Sequence, residues 1–228
     1  MTVVVLLGSP GAGKGTQAPV LARHLGVPVL ASGDLLRAVS KSRSPLGLEV
    51  ERLMKAGQLV PDETIVQIFL ERLGDPDAVG GAILDGFPRT VGQAAALDRA
   101  LAARGARVDA AIYIDVPLDD LVRRMADRRI CQAAGHVYNL RSNPPKVAGI
   151  CDLDGSPLIE RSDDDEATVR ARMAQQLPPL EAVVGHYRDN GVLESIDGRR
   201  PITEVTTELI AAVTETSARP STMPEVAG

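Results

Sequence analysis

Tryptophan is absent from this sequence, and only two phenylalanines and three tyrosines occur in its 228 residues. A core must therefore be assembled from Val, Leu, Ile and Ala. Cysteine is nearly as scarce: two thiols do not make a disulfide framework of the secreted kind. No stretch approaches the roughly 20 apolar residues of a membrane span. The apolar run near the N-terminus, Val3 to Leu7, is five residues long with no basic segment before it, so no secretory leader is read there. Positive charge is also in deficit. A net charge of −5 and a pI near 5.3 argue against a broad electrostatic footprint for nucleic acid or anionic membranes. These absences point to a soluble, cytoplasmic protein without nucleic-acid or membrane partners. What is present is globular: 44% hydrophobic and 24% charged, long enough for one substantial domain with small lobes inserted into it.

Short apolar runs suited to parallel strands occur at Val3–Leu7, Val29–Ala31, Ala82–Leu84, Ala110–Ile114 and Val192–Ile196. Helical patterns separate them, at Lys14–Leu25, Asp62–Leu73, Thr90–Arg104, Leu118–Arg129 and Thr168–Asn190. Pro178-Pro179 interrupts the last, which predicts a kink or two helices. Strands alternating with helices imply an α/β fold with a parallel sheet covered on both faces. Two segments break the alternation. Residues 32–60 run through two helices divided near Pro45, and 130–161 are rich in Gly, Pro, Asn and Asp with short β-like pieces. The expected organisation is a core of 1–31, 61–129 and 162–214, with 32–60 and 130–161 as insertions. From Glu215 onward the composition turns to Ser, Thr, Pro and Ala, which predicts a disordered tail over 215–228.

Between the first strand and first helix stands Gly8-Ser9-Pro10-Gly11-Ala12-Gly13-Lys14-Gly15-Thr16. Glycines there let the backbone curl so that several N–H groups address one phosphate, and the helix N-terminus adds partial positive charge. Lys14 would reach the β- and γ-phosphates. A Ser or Thr directly follows the Lys in the general pattern; here Gly15 intervenes and the hydroxyl comes at Thr16.

Four further motifs follow in order: Ser32-Gly33-Asp34-Leu35-Leu36-Arg37, Ala56-Gly57-Gln58-Leu59-Val60-Pro61-Asp62, Leu84-Asp85-Gly86-Phe87-Pro88-Arg89-Thr90, and Arg123-Arg124 through Arg128-Arg129. With the phosphate loop, this series over about residues 1–214 resembles the bacterial adenylate kinase family in its long-lid form. The resemblance implies a P-loop NTPase fold with a monophosphate-binding lobe and a lid. It also implies a monomer that catalyses ATP + AMP ⇌ 2 ADP with Mg²⁺.

Roles follow residue by residue. Asp85 closes a strand at the end where open α/β sheets place their ligands, and a carboxylate there can orient Mg²⁺ through its waters; a helix cap is the competing role. Arg89, four residues on, can reach the same crevice and grip a phosphate in a bidentate pair. The resemblance assigns Arg37 to the acceptor phosphate. It gives Ser32, Gln58, Leu59, Val60, Gly86, Phe87, Pro88 and Gln93 to the AMP pocket, with Gln93 one helical turn beyond Arg89 and facing a base edge. Arg124 and Arg128, spaced i, i+4, are expected on one helical face, with Arg161 and Arg172 completing a clamp on the transferring group. Gly11 to Thr16, Arg128, Val137, Tyr138 and Arg200 form the ATP side. Arg129 is read as structural.

Many lids of this family hold zinc through C-x2-C-x16-C-x2-C, or with Asp last, and tetrahedral closure needs all four ligands. The present spacing supplies Cys131, Ala134, Cys151 and Asp154, so the second ligand is missing. The expectation is a lid without metal, held by hydrogen bonds and packing. Zinc completed by His136 or by water, and a Cys131–Cys151 disulfide, stay open as alternatives.

Overall fold

The structure, a computed structural model, describes residues 1–55, 60–160 and 164–218. Its centre is a five-stranded parallel sheet: β1 (Thr2–Leu7), β2 (Val29–Ala31), β3 (Gly81–Asp85), β4 (Ala110–Asp115) and β8 (Leu193–Asp197) in the order β2-β3-β1-β4-β8. The continuous apolar runs read in the sequence are these strands, each with a boundary shifted by no more than a residue or two where it differs. Such runs belong to strands buried on both faces. Alternation along β1 divides the core. Val4 and Leu6 point into a cluster with Leu21, Met125, Val169 and Leu209, while Val3, Val5 and Leu7 face one with Phe69, Leu97, Val183 and Tyr187.

Helices cover both faces: α1 (Lys14–Leu25), α6 (Leu118–Ala126) and α8 (Ile202–Ala218) on one, α4 (Asp62–Arg72) and α5 (Val91–Ala102) on the other. α7 (Glu166–Asp189) serves both, with Val169 and Met173 in the first cluster and Val183, Val184 and Tyr187 in the second. It is one helix with Pro178 and Pro179 inside it, so the alternative of two helices does not hold. The packing along its length supplies what two lost backbone donors cost.

Two lobes leave the sheet. The first contains α2 (Ser32–Lys41) and α3 (Pro45–Lys55), packed on each other. The second is a three-stranded antiparallel sheet, β6 (Val137–Asn139), β5 (Arg128–Cys131) and β7 (Leu158–Ile159) in that order. Two expectations need correction. The helix expected to run to Arg129 ends at Ala126, because the chain enters β5 at Arg128. The disordered tail expected from Glu215 begins no earlier than the end of α8, which carries helix through Ala218; residues 219–228 lie outside the described residues.

Candidate functional site

The strand order reverses direction at β1, with β3 and β2 on one side and β4 and β8 on the other. This is where an open α/β sheet leaves a crevice at its carboxyl ends. The loop after β1 enters it through Gly8, whose φ of 145° suits glycine and whose added Cβ would stand 2.9 Å from the Ile114 carbonyl of β4. Ala12 N–H closes the turn on Ser9 O at 3.0 Å, and left-handed Gly13 is the N-cap of α1. Lys14 Nζ donates to the carbonyls of Gly8 (2.5 Å) and Ser9 (3.2 Å), so its ammonium is folded against the loop. Burial pushes its pKa down, with Asp85 opposing and Arg89 adding to the shift. A low-dielectric ammonium beside free N–H groups is a strong anion site.

Asp85 pairs in register with Leu6 of β1, which sets its carboxylate beside the start of the loop. Burial raises its pKa, and the positive charges of Lys14 and Arg89 resist the rise. It does not cap a helix. That role in α5 belongs to Thr90, whose Oγ1 accepts from Gln93 N at 3.1 Å. Thr16 at the start of α1 and Asp85 at the end of β3 are hard oxygen donors of the kind Mg²⁺ takes with a bound phosphate.

Arg89 precedes α5 rather than lying on it. Its Nε donates to Gly86 O (2.8 Å) and its Nη2 to Ser32 Oγ (2.9 Å), joining two strand ends across the crevice. Gly86 has φ 73°, and a Cβ there would meet Ser32 Oγ at 2.9 Å, so only glycine lets the two segments approach this closely. The Phe87 ring, expected in the AMP pocket, is instead buried and stacked on Phe69, with ring centroids 4.0 Å apart. Only the backbone of the Phe87-Pro88 pair, joined by a cis peptide, borders the site.

Gln93 is buried and engaged on both ends of its amide. Oε1 accepts from Arg89 N (2.7 Å) and Nε2 donates to Asp62 Oδ1 (2.7 Å). By count it keeps one amide hydrogen, less than the free base-reading face expected of it. Asp62 also accepts from Thr90 Oγ1 at 2.8 Å. It thereby ties the start of α4 to the Arg89 loop, a role the sequence reading did not give it although Asp62 closes one of the quoted motifs. Val60, like Leu35 and Leu36, is partly buried and packs against the second core cluster. Gln58, Leu59 and Arg161 lie outside the described residues.

The arginines divide by partner. Arg124 reaches the loop itself, donating to Ala12 O (3.4 Å) and to Gly198 O (2.6 Å). Arg128 starts β5 and pairs with Asp164, Nε to Oδ2 at 2.8 Å, so it and Arg124 are not on one helical face. Arg172 sits half-buried on α7. Arg37 is exposed and paired with Asp34, and Arg200 is paired with Glu208 of α8. In the lid, Val137 is exposed, whereas Tyr138 is turned inward, its hydroxyl 3.4 Å from Cys151 Sγ and accepting from Asp152 N at 2.8 Å. Arg129 bonds the carbonyls of Ala126 and Arg128, a structural role.

A sequence profile described as adenylate kinase matches residues 6–192 of this chain. Among curated proteins, the adenylate kinase of Moorella thermoacetica is 47% identical over 202 residues, covering 89% of this chain and 93% of its own length. That of Exiguobacterium sibiricum is 44% identical over 208 residues, 91% and 97% of the two chains. That of Staphylococcus epidermidis is 42% identical over 207 residues, covering 91% and 96%.

Proposed function

The chain belongs to the adenylate kinase family, and from that premise we propose how its own residues carry out ATP + AMP ⇌ 2 ADP. The observation that supports the assignment of roles best is the strand register: Leu6 beside Asp85 brings the phosphate loop and the Arg89 loop to one crevice. Donor and acceptor phosphates then meet between Lys14 and Arg89. Phosphoryl transfer needs positioning and charge neutralisation more than covalent help from the protein.

The N–H groups from Gly11 to Thr16 and the Lys14 ammonium hold the donor phosphates. Arg89 and Arg37 take the acceptor phosphate. For Arg37 this means leaving Asp34, an exchange that costs little between exposed partners. Arg124, anchored on the Ala12 and Gly198 carbonyls, stands at the edge of the loop with a planar fork of donors. Arg128, Arg161 and Arg172 complete the cationic enclosure, and Arg200 and the backbone at Val137 and Tyr138 border the adenine of ATP. Thr16 and Asp85 would hold Mg²⁺, which would neutralise charge on the donor phosphates. The acceptor phosphate is already an anion, so no general base is assigned. Ser32, Gly86, Gln93 and Val60 define the acceptor pocket, with Gln58 and Leu59 beside it in the chain. Closure of the two lobes excludes water and suppresses hydrolysis of ATP.

The same reading gives a monomer acting in the cytoplasm. No helix among the described residues is long and apolar enough to cross a membrane. The decisive measurement is a steady-state assay of ATP against AMP, UMP, CMP and GMP. AMP is expected to have the highest kcat/KM. Equal or better use of another monophosphate would overturn the adenine assignment, and ATP binding without ADP formation would overturn transfer itself.

A further inference from the structure

Burying a polar side chain is costly unless each of its groups finds a partner, so an amide held against an apolar face has to be accounted for. Among the described residues, the buried polar and charged side chains are Ser9, Gln17, Ser32, Gln93 and Asp164. Four of them have a place in the site or at its edge: Ser9 in the phosphate loop, Ser32 and Gln93 in the acceptor pocket, and Asp164 under Arg128. Gln17 has none. It stands on the first turn of α1, directly after Thr16, and is 3% exposed. The surface around it is apolar, with Ala18, Leu21 and Ala22 of α1 in one buried cluster with Val205, Leu209 and Val213 of α8. For packing alone, an unbranched apolar side chain of the same length would suffice there.

Both ends of the amide engage α8. Nε2 donates to Ile202 O at 3.0 Å, and Oε1 accepts from Thr206 Oγ1 at 2.7 Å. Ile202 opens α8, and Thr206 lies one turn further along it. These partners are 185 and 189 residues from Gln17 in sequence. Apolar contact is non-directional and by itself leaves α8 free to slide or roll on α1. Two hydrogen bonds of set length and angle fix the first turn of one helix against the first turn of the other.

The position of α8 matters because of what it carries. Gly198-Arg199-Arg200-Pro201 joins the end of β8 to Ile202. At the near end of this segment, Gly198 N donates to Asp115 O (2.8 Å), and a Cβ on Gly198 would stand 2.5 Å from Val116 Cγ2. Arg124 links Gly198 O there to Ala12 O of the phosphate loop. At the far end, Ile202 is held by Gln17. Arg200 lies between the two anchors and is paired with Glu208, itself on α8. A shift of α8 therefore moves both the backbone after Arg200 and the carboxylate that aims its guanidinium. We propose, on the reading that Arg200 borders the ATP adenine, that Gln17 is a positioning residue for the donor nucleotide. It sets the span from the phosphate loop, which takes the triphosphate, to the 198–201 segment, which takes the base.

Gln17→Met keeps the length of the side chain without its hydrogen bonds, Thr206→Val keeps the shape without the hydroxyl, and Thr206→Ser keeps the hydroxyl. In steady-state kinetics of the full chain, Gln17→Met should raise KM for ATP about tenfold, with KM for AMP and kcat unchanged. Thr206→Val should act in the same direction, and Thr206→Ser should match the unmodified chain. The double variant Gln17→Met/Thr206→Val should be no worse than Gln17→Met alone, because both changes remove one interaction. With both side-chain partners apolar, no buried side-chain group is left unsatisfied, so its thermal midpoint should stay near that of the unmodified chain. Inorganic tripolyphosphate has the phosphates without the base, and it should inhibit Gln17→Met and the unmodified chain equally. An unchanged KM for ATP in Gln17→Met would overturn the proposal, as would effects of the two substitutions that multiply. Equal weakening of tripolyphosphate would also overturn it, by placing the effect on the loop itself. Arg200→Ala tests the premise separately. If it leaves KM for ATP unchanged, the adenine does not border Arg200 and that reading of the donor site fails. If it raises KM while Gln17→Met does not, the reading stands and only the role of Gln17 fails.

Discussion

The phosphate loop and the lid both crowd polar groups into a small space, and they are held in different ways. The loop hangs from the central sheet. Its first glycine lies against the β4 backbone, its last caps α1, and the strands on either side are buried in two large apolar clusters. Among the described residues, the lid has a three-residue buried cluster and a hydrogen-bonded group of side chains. Geometry in the first region is enforced by the fold, whereas geometry in the second depends on a few named contacts. The first plan suits a rigid site, and the second suits a lobe with the proposed role of opening and closing.

Removing Arg89 tests the rigid half most severely. Arg89→Ala should lower kcat/KM by about a thousandfold with the thermal midpoint little changed, because the guanidinium acts on charge in the crevice while the sheet holds the fold. Calorimetry alongside the kinetics checks both parts; unfolding in parallel with the loss of activity would erase the contrast. The converse is expected at the lid's base. Arg128→Ala leaves Asp164, which is 1% exposed, buried without its partner, and should cost about 3 kcal/mol of stability. A chemical-denaturation curve unchanged by that substitution would show the clasp to be idle.

Acid should then find the rigid site through Asp85. Its carboxyl is raised by burial, so as pH falls it takes up a proton before an ordinary carboxylate would, and the anion is lost. kcat/KM should fall about tenfold per pH unit below an apparent pKa that lies above the ordinary value near 3.9. Asp85→Asn should start from lower activity and lack that limb. The smallest effect is expected at Asp62. Asp62→Ala removes the acceptor shared by Thr90 and Gln93, and should raise KM for AMP about fivefold with kcat nearly constant. An equal loss in kcat would mean that Asp62 steadies the reacting phosphate rather than the acceptor pocket.

The sheet was legible because buried parallel strands are written as unbroken apolar runs, and the loop because glycines at a strand-to-helix junction have few other uses. The end of α6 was not legible. Leu121, Val122 and Met125 are its buried residues, and nothing in the polar run Asp127-Arg128-Arg129 announces that pairing with Asn139 and Tyr138 draws those arginines into a strand. Gln93 and Phe87 belong to the motifs that point to the acceptor pocket, but their partners Asp62 and Phe69 come from α4, a tertiary contact that spacing cannot express. Spacing alone left open whether His136, two residues past Ala134, approaches the cysteines; the turn at Gly135 brings it within 4.8 Å of them.

Arg128 and Asp164 are 36 residues apart in sequence and joined in space. The pair marks where the second lobe meets the rest of the molecule. Asn139, Leu140 and Arg141 add bonds to Arg124 and Asp127 at the end of α6, so the lobe is tied to the core at its base by more than one contact. Its length and internal chemistry can be exchanged with little consequence for the sheet, provided the two ends still meet. The contacts at its base make the far part of the lid replaceable: a substitution at exposed Val147 or Leu153 should leave the architecture of the phosphate site unchanged.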